Sequence, residues 1–549
     1  MATNPDKGLW LLFAFGCGIA ALFLGQDANW DLRNYHLYIP YAFLEGRFDW
    51  DVAPAQVANF YNPLLYVPFY YSVMALPPKL FGFGIGFIQG LNGLMIGGIA
   101  RHLMGRSENP PHRITLFLLV LLGLTGAGFI SEIGTSFADT ILSLVVLGSL
   151  WLNLICIDRQ GEEETRLALR QLILSGFLMG LAAGLKQPMV IYAGGLCVSF
   201  LFASKSFPRG VSMAFLFGLG VLAGIGITGG FWMYELWSRY GNPLFPYFND
   251  LFQSPWATTG NYRDGRFLPK TLWEVFLFPL YFTFAPLKTA EISFRDFRLP
   301  LLYVLSVGYG LYILYGRFQK NGPLKETASD RGARYLFVFG LISFFIWLKL
   351  FAIYRYLIIL EMLAPLGIWW ILHQRFGKKS FFLKGTFACS LFLFLSTQPG
   401  NWERVSWGSD YFGVTVPQLE DPGHTLVLMA GTEPMSYVIP FFPKSVRFLR
   451  IQSYFTGPSD APNQFDKQMQ ALVRDHAGPI HALYRRNQKK AALSALSAYG
   501  LFPEEAQCTP LPAHIESHLK FPIIFCKVIS TSKRGNNPME RELRSHDNK

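Results

Sequence analysis

The sequence predicts an α-helical polytopic membrane protein with a small α/β domain at its C-terminal end. Three observations predict it. Hydrophobic residues make up 51% of the 549, and only 15% are charged, whereas a soluble domain carries roughly 25% charged residues. Apolar runs of about 18 residues, the length that crosses a bilayer, recur from the N-terminus onward. Only after residue 398 do they give way to short apolar runs separated by polar segments.

Eleven runs read as spans: 9–25, 80–100, 114–131, 139–157, 171–185, 189–203, 211–233, 300–316, 335–353, 356–373 and 381–397. The first is flanked by Lys7 and has the outline of a signal peptide. It is followed by Gln26, Asp27 and Trp30 rather than by a small-residue cleavage site, so it reads as a retained span. The basic residues collect in the connections. Arg101, Arg106 and Arg113 share one, and Arg159, Arg166 and Arg170 the next. Lys205 and Arg209 follow, then Arg317, Lys320, Lys325, Arg331 and Arg334, and finally Arg375, Lys378 and Lys379. Placed in the cytoplasm, they put loops 26–79, 132–138, 186–188, 234–299 and 354–356, and everything after 398, outside. The net charge of +12 therefore reports orientation, and nucleic acid is not an expected partner. Residues 272–287 are apolar but hold Pro279 and Pro286. A crossing there would put the Arg317–Arg334 connection on the wrong side. The segment reads as re-entrant or interface-lying, with a twelfth span as the alternative.

The tail differs. Thr425–Ala430, Val446–Gln452, Ile480–Tyr484 and Ile523–Ile529 are strand-like, and Phe465, Met469, Leu472 and Val473 repeat at helical spacing. This divides the chain into a membrane domain, 1–397 with loops 26–79 and 234–299, and an extracytoplasmic α/β domain, 398–549. Cys17, Cys156, Cys197 and Cys389 lie in apolar runs as packing residues. Cys508 and Cys526 are placed to pair if the tail faces an oxidising compartment. No Cys/His spacing marks a metal site.

In a membrane chain the informative residues are ionisable groups at helix ends on one face. The loop after the first span carries Asp27, Asp31, Asn34, Tyr35, His36 and Tyr38, then Tyr61-Asn62-Pro63. A partly desolvated Asp31 suits a general base, although acids and aromatics also gather in headgroups. Glu132 and Asp139 share a very short loop. Capping of the next helix explains Asp139 but leaves Glu132 without a reason. Lys186, in Gly184-Leu185-Lys186, has almost no loop to justify it. Arg355-Tyr356 opens a span on the same face, and such cations grip phosphate oxygens; snorkelling to headgroups is the bland account. Loop 234–299 adds Gly241-Asn242-Pro243-Leu244-Phe245-Pro246 and Tyr262-Arg263-Asp264, aromatic and turn-rich, as a cover over a substrate.

Four places resemble the GT-C superfamily of polytopic glycosyltransferases: Asp31 with Asn34-Tyr35-His36, the acidic loop of Glu132 and Asp139, the turn at Lys186, and Arg355-Tyr356. Tyr61-Asn62-Pro63 and Gly241–Pro246 are similar to bacterial members near glycosyltransferase family 87. The resemblance implies sugar transfer from a polyprenyl-phosphate-linked donor to a glycan or lipid acceptor, at the outer face of a bacterial inner membrane. Asp31 is then the base, assisted by Glu132 or Asp139, with Lys186 and Arg355 neutralising the leaving lipid phosphate. Asn34, Tyr35, His36, Asn62, Arg263 and Tyr356 are the expected substrate contacts. The leaving group is already a stabilised phosphate, so no metal or other cofactor is expected. The first loop departs from several GT-C families in having Asp31-Leu32 instead of an Asp-Glu pair. The rival functions are a transporter or flippase for lipid-linked glycans and a polymerase using a diphosphate-linked donor. A transporter places its ionisable groups near the bilayer midplane on broken helices, unlike the helix-end positions here.

Overall fold

A computed structural model describes residues 6–105, 110–158, 162–318, 328–377, 382–459 and 462–530. Arg106, Arg159, Lys320, Lys325, Lys378, Lys379 and residues 531–549 of the tail lie outside the described residues. The chain is a polytopic membrane protein. Among the described residues seven helices are long and apolar enough to cross a membrane, and five shorter apolar helices accompany them. It forms two compact units: residues 1–24, 82–232 and 263–402, and residues 25–81, 233–262 and 403–549.

The first unit holds the long helices. Its closest helix pair is Glu162–Leu185 against Phe207–Thr228. Gly176, Gly180 and Gly184 recur every fourth residue on one helix, as Gly220, Gly224 and Thr228 do on the other. A Cβ at Gly176 would collide with the Phe217 carbonyl, and one at Gly224 with the Phe177 carbonyl. Backbones this close gain dispersion where lipid offers no hydrophobic drive. The Thr228 hydroxyl adds a bond to the Leu181 carbonyl at 3.0 Å. This fixes the end of the first helix, and Lys186 directly follows it.

Two expected spans are interrupted. The run 114–131 ends as a helix at Gly123 and restarts as the short helix Ala127–Glu132. Arg298 takes the carbonyls of Leu122 at 3.0 Å and Thr125 at 2.7 Å, drawing the chain into a turn. The run 211–233 ends at Thr228, and a new helix runs Gly230–Tyr240 beyond the Gly229-Gly230 pair. The segment 272–287 forms a 13-residue helix, Leu272–Phe284, with Pro279 inside it. Its length of about 20 Å falls short of a ~30 Å hydrocarbon core.

The second unit is built on a five-stranded sheet: β1 Leu426–Ala430, β2 Arg447–Gln452, β3 Ile480–Arg485, β4 Leu501–Leu511 and β5 Ile523–Ser530. The order is β2-β1-β3-β5-β4, with β2, β1 and β3 parallel and the last two pairings antiparallel. Helix Gln464–Arg474 begins with an Asn463/Asp466 capping box and buries Phe465, Met469 and Val473. Cys508 and Cys526 face each other on β4 and β5 and form a disulfide.

Residues 25–81 pack into this unit through specific bonds. Gln26–Asp27 pairs with Arg404–Val405, and Val52 bridges to Leu449 on β2. Arg47 is buried, paired to Asp51 at 2.8 Å and to the Lys444 and Val446 carbonyls, both at 2.7 Å. Arg33, 2% exposed, is paired with Glu403 and lies 3.8 Å from Glu516. A buried arginine needs partners of this kind, since an unpaired buried charge costs several kcal/mol.

Candidate functional site

Four charged residues gather in the first unit, each at the end of an element. Glu132 ends the short helix Ala127–Glu132, and Asp139 begins the helix Asp139–Asp158. Lys186 precedes the turn Gln187–Met189, and Arg355 lies in the turn Tyr354–Leu357. The Lys186 Nζ is 2.7 Å from Asp139 Oδ2, and both side chains are largely buried. The same ammonium lies 5.6 Å from the centre of the Tyr356 ring. The Arg355 guanidinium is stacked among Phe137, Tyr356 and Trp402 at 4.7, 5.2 and 5.8 Å. Trp402 Nε1 donates to the Ser131 hydroxyl at 3.2 Å. A small pocket runs past Gly128, Ser131, Tyr354, Arg355 and Trp402.

Glu132 is fully buried. The Thr140 hydroxyl favours its ionised form, yet neither carboxylate oxygen closes a hydrogen bond of normal geometry. Burial first, and then the charge of Asp139, hold its pKa well above the usual carboxylate range, against the pull of Lys186 and Arg355. A carboxyl raised on folding stabilises the protein at low pH, and that contribution is lost as pH rises through the folded value. Glu132→Gln removes this slope. The variant is expected to melt a few degrees above wild type at pH 8, with the gap closing toward pH 5, in thermal unfolding of the detergent-solubilised chain; equal midpoints throughout would dismiss the burial penalty.

The loop bearing these acids is held by residues that the sequence reading passed over. Gln89 donates to the Glu132 carbonyl at 3.0 Å and to Thr140 Oγ1 at 2.9 Å, and its own carbonyl takes the Gly134 N–H at 2.7 Å. Asn92 donates to the Thr140 carbonyl at 2.7 Å. The start of helix Ala127–Glu132 meets two buried carboxylates. Asp296 accepts from the Ala127 N–H at 2.9 Å, and Glu361 accepts from Gly128 at 2.9 Å and Phe129 at 3.0 Å. Glu361 also accepts from the Tyr354 hydroxyl at 2.5 Å, and Asp296 is paired with Arg298 at 2.5 Å. One carboxylate thus ties the helix that carries Glu132 to the turn that carries Arg355. The available signal was polarity: Gln89, Asn92 and Glu361 each interrupt an apolar run, which in a membrane chain marks a role.

The remaining expected residues are dispersed. Arg263, in the first unit, is exposed and donates to the Lys349 carbonyl at 3.2 Å. Burial raises its neighbour Asp264, but bonds from Arg266 and the charge of Arg355 outweigh this and lower it. The Tyr356 carbonyl accepts from the Tyr192 hydroxyl at 2.5 Å. Asp31, Asn34, Tyr35, His36 and Asn62 belong to the second unit. Asp31 is half-buried, heads the π-helical turn Leu32–His36 and accepts from the Tyr35 hydroxyl at 3.1 Å. Such π-turns are rare and frequent at functional sites. Asn34 donates to the Ala55 carbonyl at 3.2 Å. The His36 ring stacks on Tyr66 with centres 4.3 Å apart. Asn62 accepts from the Leu64 N–H at 3.0 Å, serving as the cap of Pro63–Tyr66. Among the described residues no three His, Cys, Asp or Glu side chains gather as a metal-holding group.

Fold and site together define a polytopic membrane protein in which two half-buried cations lie beside two buried carboxylates at its helix ends. No protein-family model and no curated protein matches the chain. Among solved structures it is similar to ArnT from Cupriavidus metallidurans bound to undecaprenyl phosphate, at 13% identity and TM-score 0.45, over 96% of this chain and 98% of that one. It is also similar to the Archaeoglobus fulgidus oligosaccharyltransferase in complex with Zn and sulfate, at 11% identity and TM-score 0.45, over 94% and 74%. The apo ArnT structure gives 13% identity and TM-score 0.40, over 95% and 98%. At these values the likeness is loose and assigns no role to any residue here.

Proposed function

We propose that this chain is a GT-C-type membrane glycosyltransferase that moves a sugar from a polyprenyl-phosphate donor to an extracytoplasmic glycan or lipid acceptor. The observation that carries the reading is the cluster of Lys186 and Arg355 beside two buried carboxylates. A permanent guanidinium set among three aromatic rings, with an ammonium nearby at another helix end, suits a phosphate monoester or diester. The polyprenyl tail needs a bilayer, which the spanning helices provide.

In the reaction an acceptor hydroxyl attacks the anomeric carbon from the face opposite the phosphate. The bond from that carbon to the phosphate oxygen breaks, and its electron pair leaves on the lipid phosphate. The hydroxyl proton passes to a carboxylate base, and the anomeric configuration inverts. Lys186 and Arg355 stabilise the charge gathering on the leaving oxygen, where preorganised cations act most strongly. Asp139 holds Lys186 in place. Asp31 is the base that the sequence resemblance assigns, and the hydrogen bond from the Tyr35 hydroxyl orients its carboxylate. The distribution of the basic connections supports an outward-facing site.

The test is binding of a long-chain polyprenyl monophosphate to the purified chain in nanodiscs, with the corresponding polyprenol as control. Wild type is expected to prefer the phosphate, and Arg355→Ala to weaken that preference by about 10-fold or more, since a bond to a charged group is worth about 1.5–3 kcal/mol. Equal affinity for phosphate and alcohol would remove the donor site.

A further inference from the structure

Three distant segments of the second unit converge beside Asp31, and each brings a tyrosine. Tyr61 and Tyr247 lie nearly parallel, 12° apart, with their hydroxyls bonded at 2.8 Å. Tyr35, whose hydroxyl bonds Asp31, meets Tyr61 edge-on at 5.2 Å. Tyr454 has half its surface exposed. It directly precedes Phe455, whose ring meets those of Phe60, next to Tyr61, and of Phe245.

What holds this rim is the layer behind it. Phe60 and Phe455 are chain neighbours of Tyr61 and Tyr454, and Phe245 lies two residues before Tyr247. All three are buried. Their rings meet at 4.7 Å (Phe60–Phe245), 5.4 Å (Phe60–Phe455) and 6.3 Å (Phe245–Phe455). Phe465 and Tyr240 complete the cluster. Each segment is thus fastened by one aromatic and presents another. Gln56 and Phe248, in two of these segments, have φ of 61° and 56°. Non-glycine residues are uncommon in this left-handed region, and such strain gathers at binding sites.

We propose that Tyr61, Tyr247 and Tyr454, with Tyr35 and Asp31, form a carbohydrate subsite that receives a neutral pyranoside of the acceptor. Aromatic faces match the C–H face of a pyranose, while phenol hydroxyls and a carboxylate match its hydroxyls. Naming it the acceptor side rests on Asp31 as the base; the binding of sugar does not. The acceptor is then a glycan or glycolipid presenting a sugar hydroxyl, and a lipid without sugar does not fit.

The experiment is saturation-transfer NMR on the detergent-solubilised full chain with methyl glucoside, methyl galactoside, methyl mannoside and N-acetylglucosamine. At least one is expected to receive saturation. Tyr454→Ala and Tyr247→Phe should each reduce it by about 5-fold, while Tyr71→Ala, an exposed tyrosine elsewhere in the unit, should not. No transfer to any of the four sugars overturns the proposal, as does a signal that survives Tyr454→Ala and Tyr247→Phe together or falls equally in Tyr71→Ala. A tyrosine-dependent signal upholds the subsite even if polyprenyl phosphate does not bind, so the two proposals fail separately.

Discussion

Asp31→Asn is expected to reduce sugar transfer by about 10²–10⁴-fold, the usual contribution of a positioned general base, while leaving the protein folded. Asparagine is isosteric and still accepts the Tyr35 hydroxyl bond that Asp31 makes, so the turn Leu32–His36 keeps its anchor. Binding of polyprenyl monophosphate should stay within about 2-fold of wild type, because the phosphate cations lie elsewhere in the sequence. The measurement is transfer by the purified variant from a panel of polyprenyl-phosphate sugars, beside its thermal midpoint. Full activity with an unchanged midpoint would strike Asp31 from the chemistry and return the role to Glu132 or Asp139.

Glu361→Ala should be the most destabilising single change, at about 3–5 kcal/mol, the range for breaking a buried charged network. It strands the N–H groups of Gly128 and Phe129 and the Tyr354 hydroxyl together, and each unsatisfied buried donor costs about 1–3 kcal/mol. Glu361→Gln should lie between, since its amide carbonyl accepts one N–H while its NH₂ opposes the other. Gly126→Ala should match the alanine variant, because a Cβ there overlaps the Glu361 carboxyl. Thermal unfolding of the solubilised proteins tests this, and a Glu361→Ala midpoint within a degree of wild type would show that the carboxylate does not brace the helix.

The seven long apolar helices were legible because apolar length is a one-dimensional signal, and four of the five strands because β1, β2, β3 and β5 are short, mostly apolar runs. Strand β4 was not: its sequence Leu-Phe-Pro-Glu-Glu-Ala-Gln-Cys-Thr-Pro-Leu holds two prolines and two acids, which suits only an edge. The helix Lys489–Ala498 was missed for want of periodicity, being mostly alanine, lysine and serine. Lys186 and Glu132 stood out as charges with no loop to excuse them. Their braces did not, since Glu361 lies inside the run 356–373 and its partners are backbone N–H groups more than 200 residues away. The ties of loop 26–79 to the tail, such as Arg47 to the Val446 carbonyl, rest on hydrogen-bond geometry that no local pattern encodes.

Those ties also impose a timetable. Residues 25–81 leave the ribosome before their partners, since those of Gln26, Arg33, Arg47 and Val52 lie between Glu403 and Glu516. At about 5–20 residues per second, synthesis of the intervening chain takes on the order of half a minute. Through that interval Arg33 and Arg47 lack the tail partners they have in the finished fold, and Asp31 belongs to an unfinished surface. Any base chemistry it performs waits until the residues from Glu403 to Glu516 have been made, because they complete the surface around it.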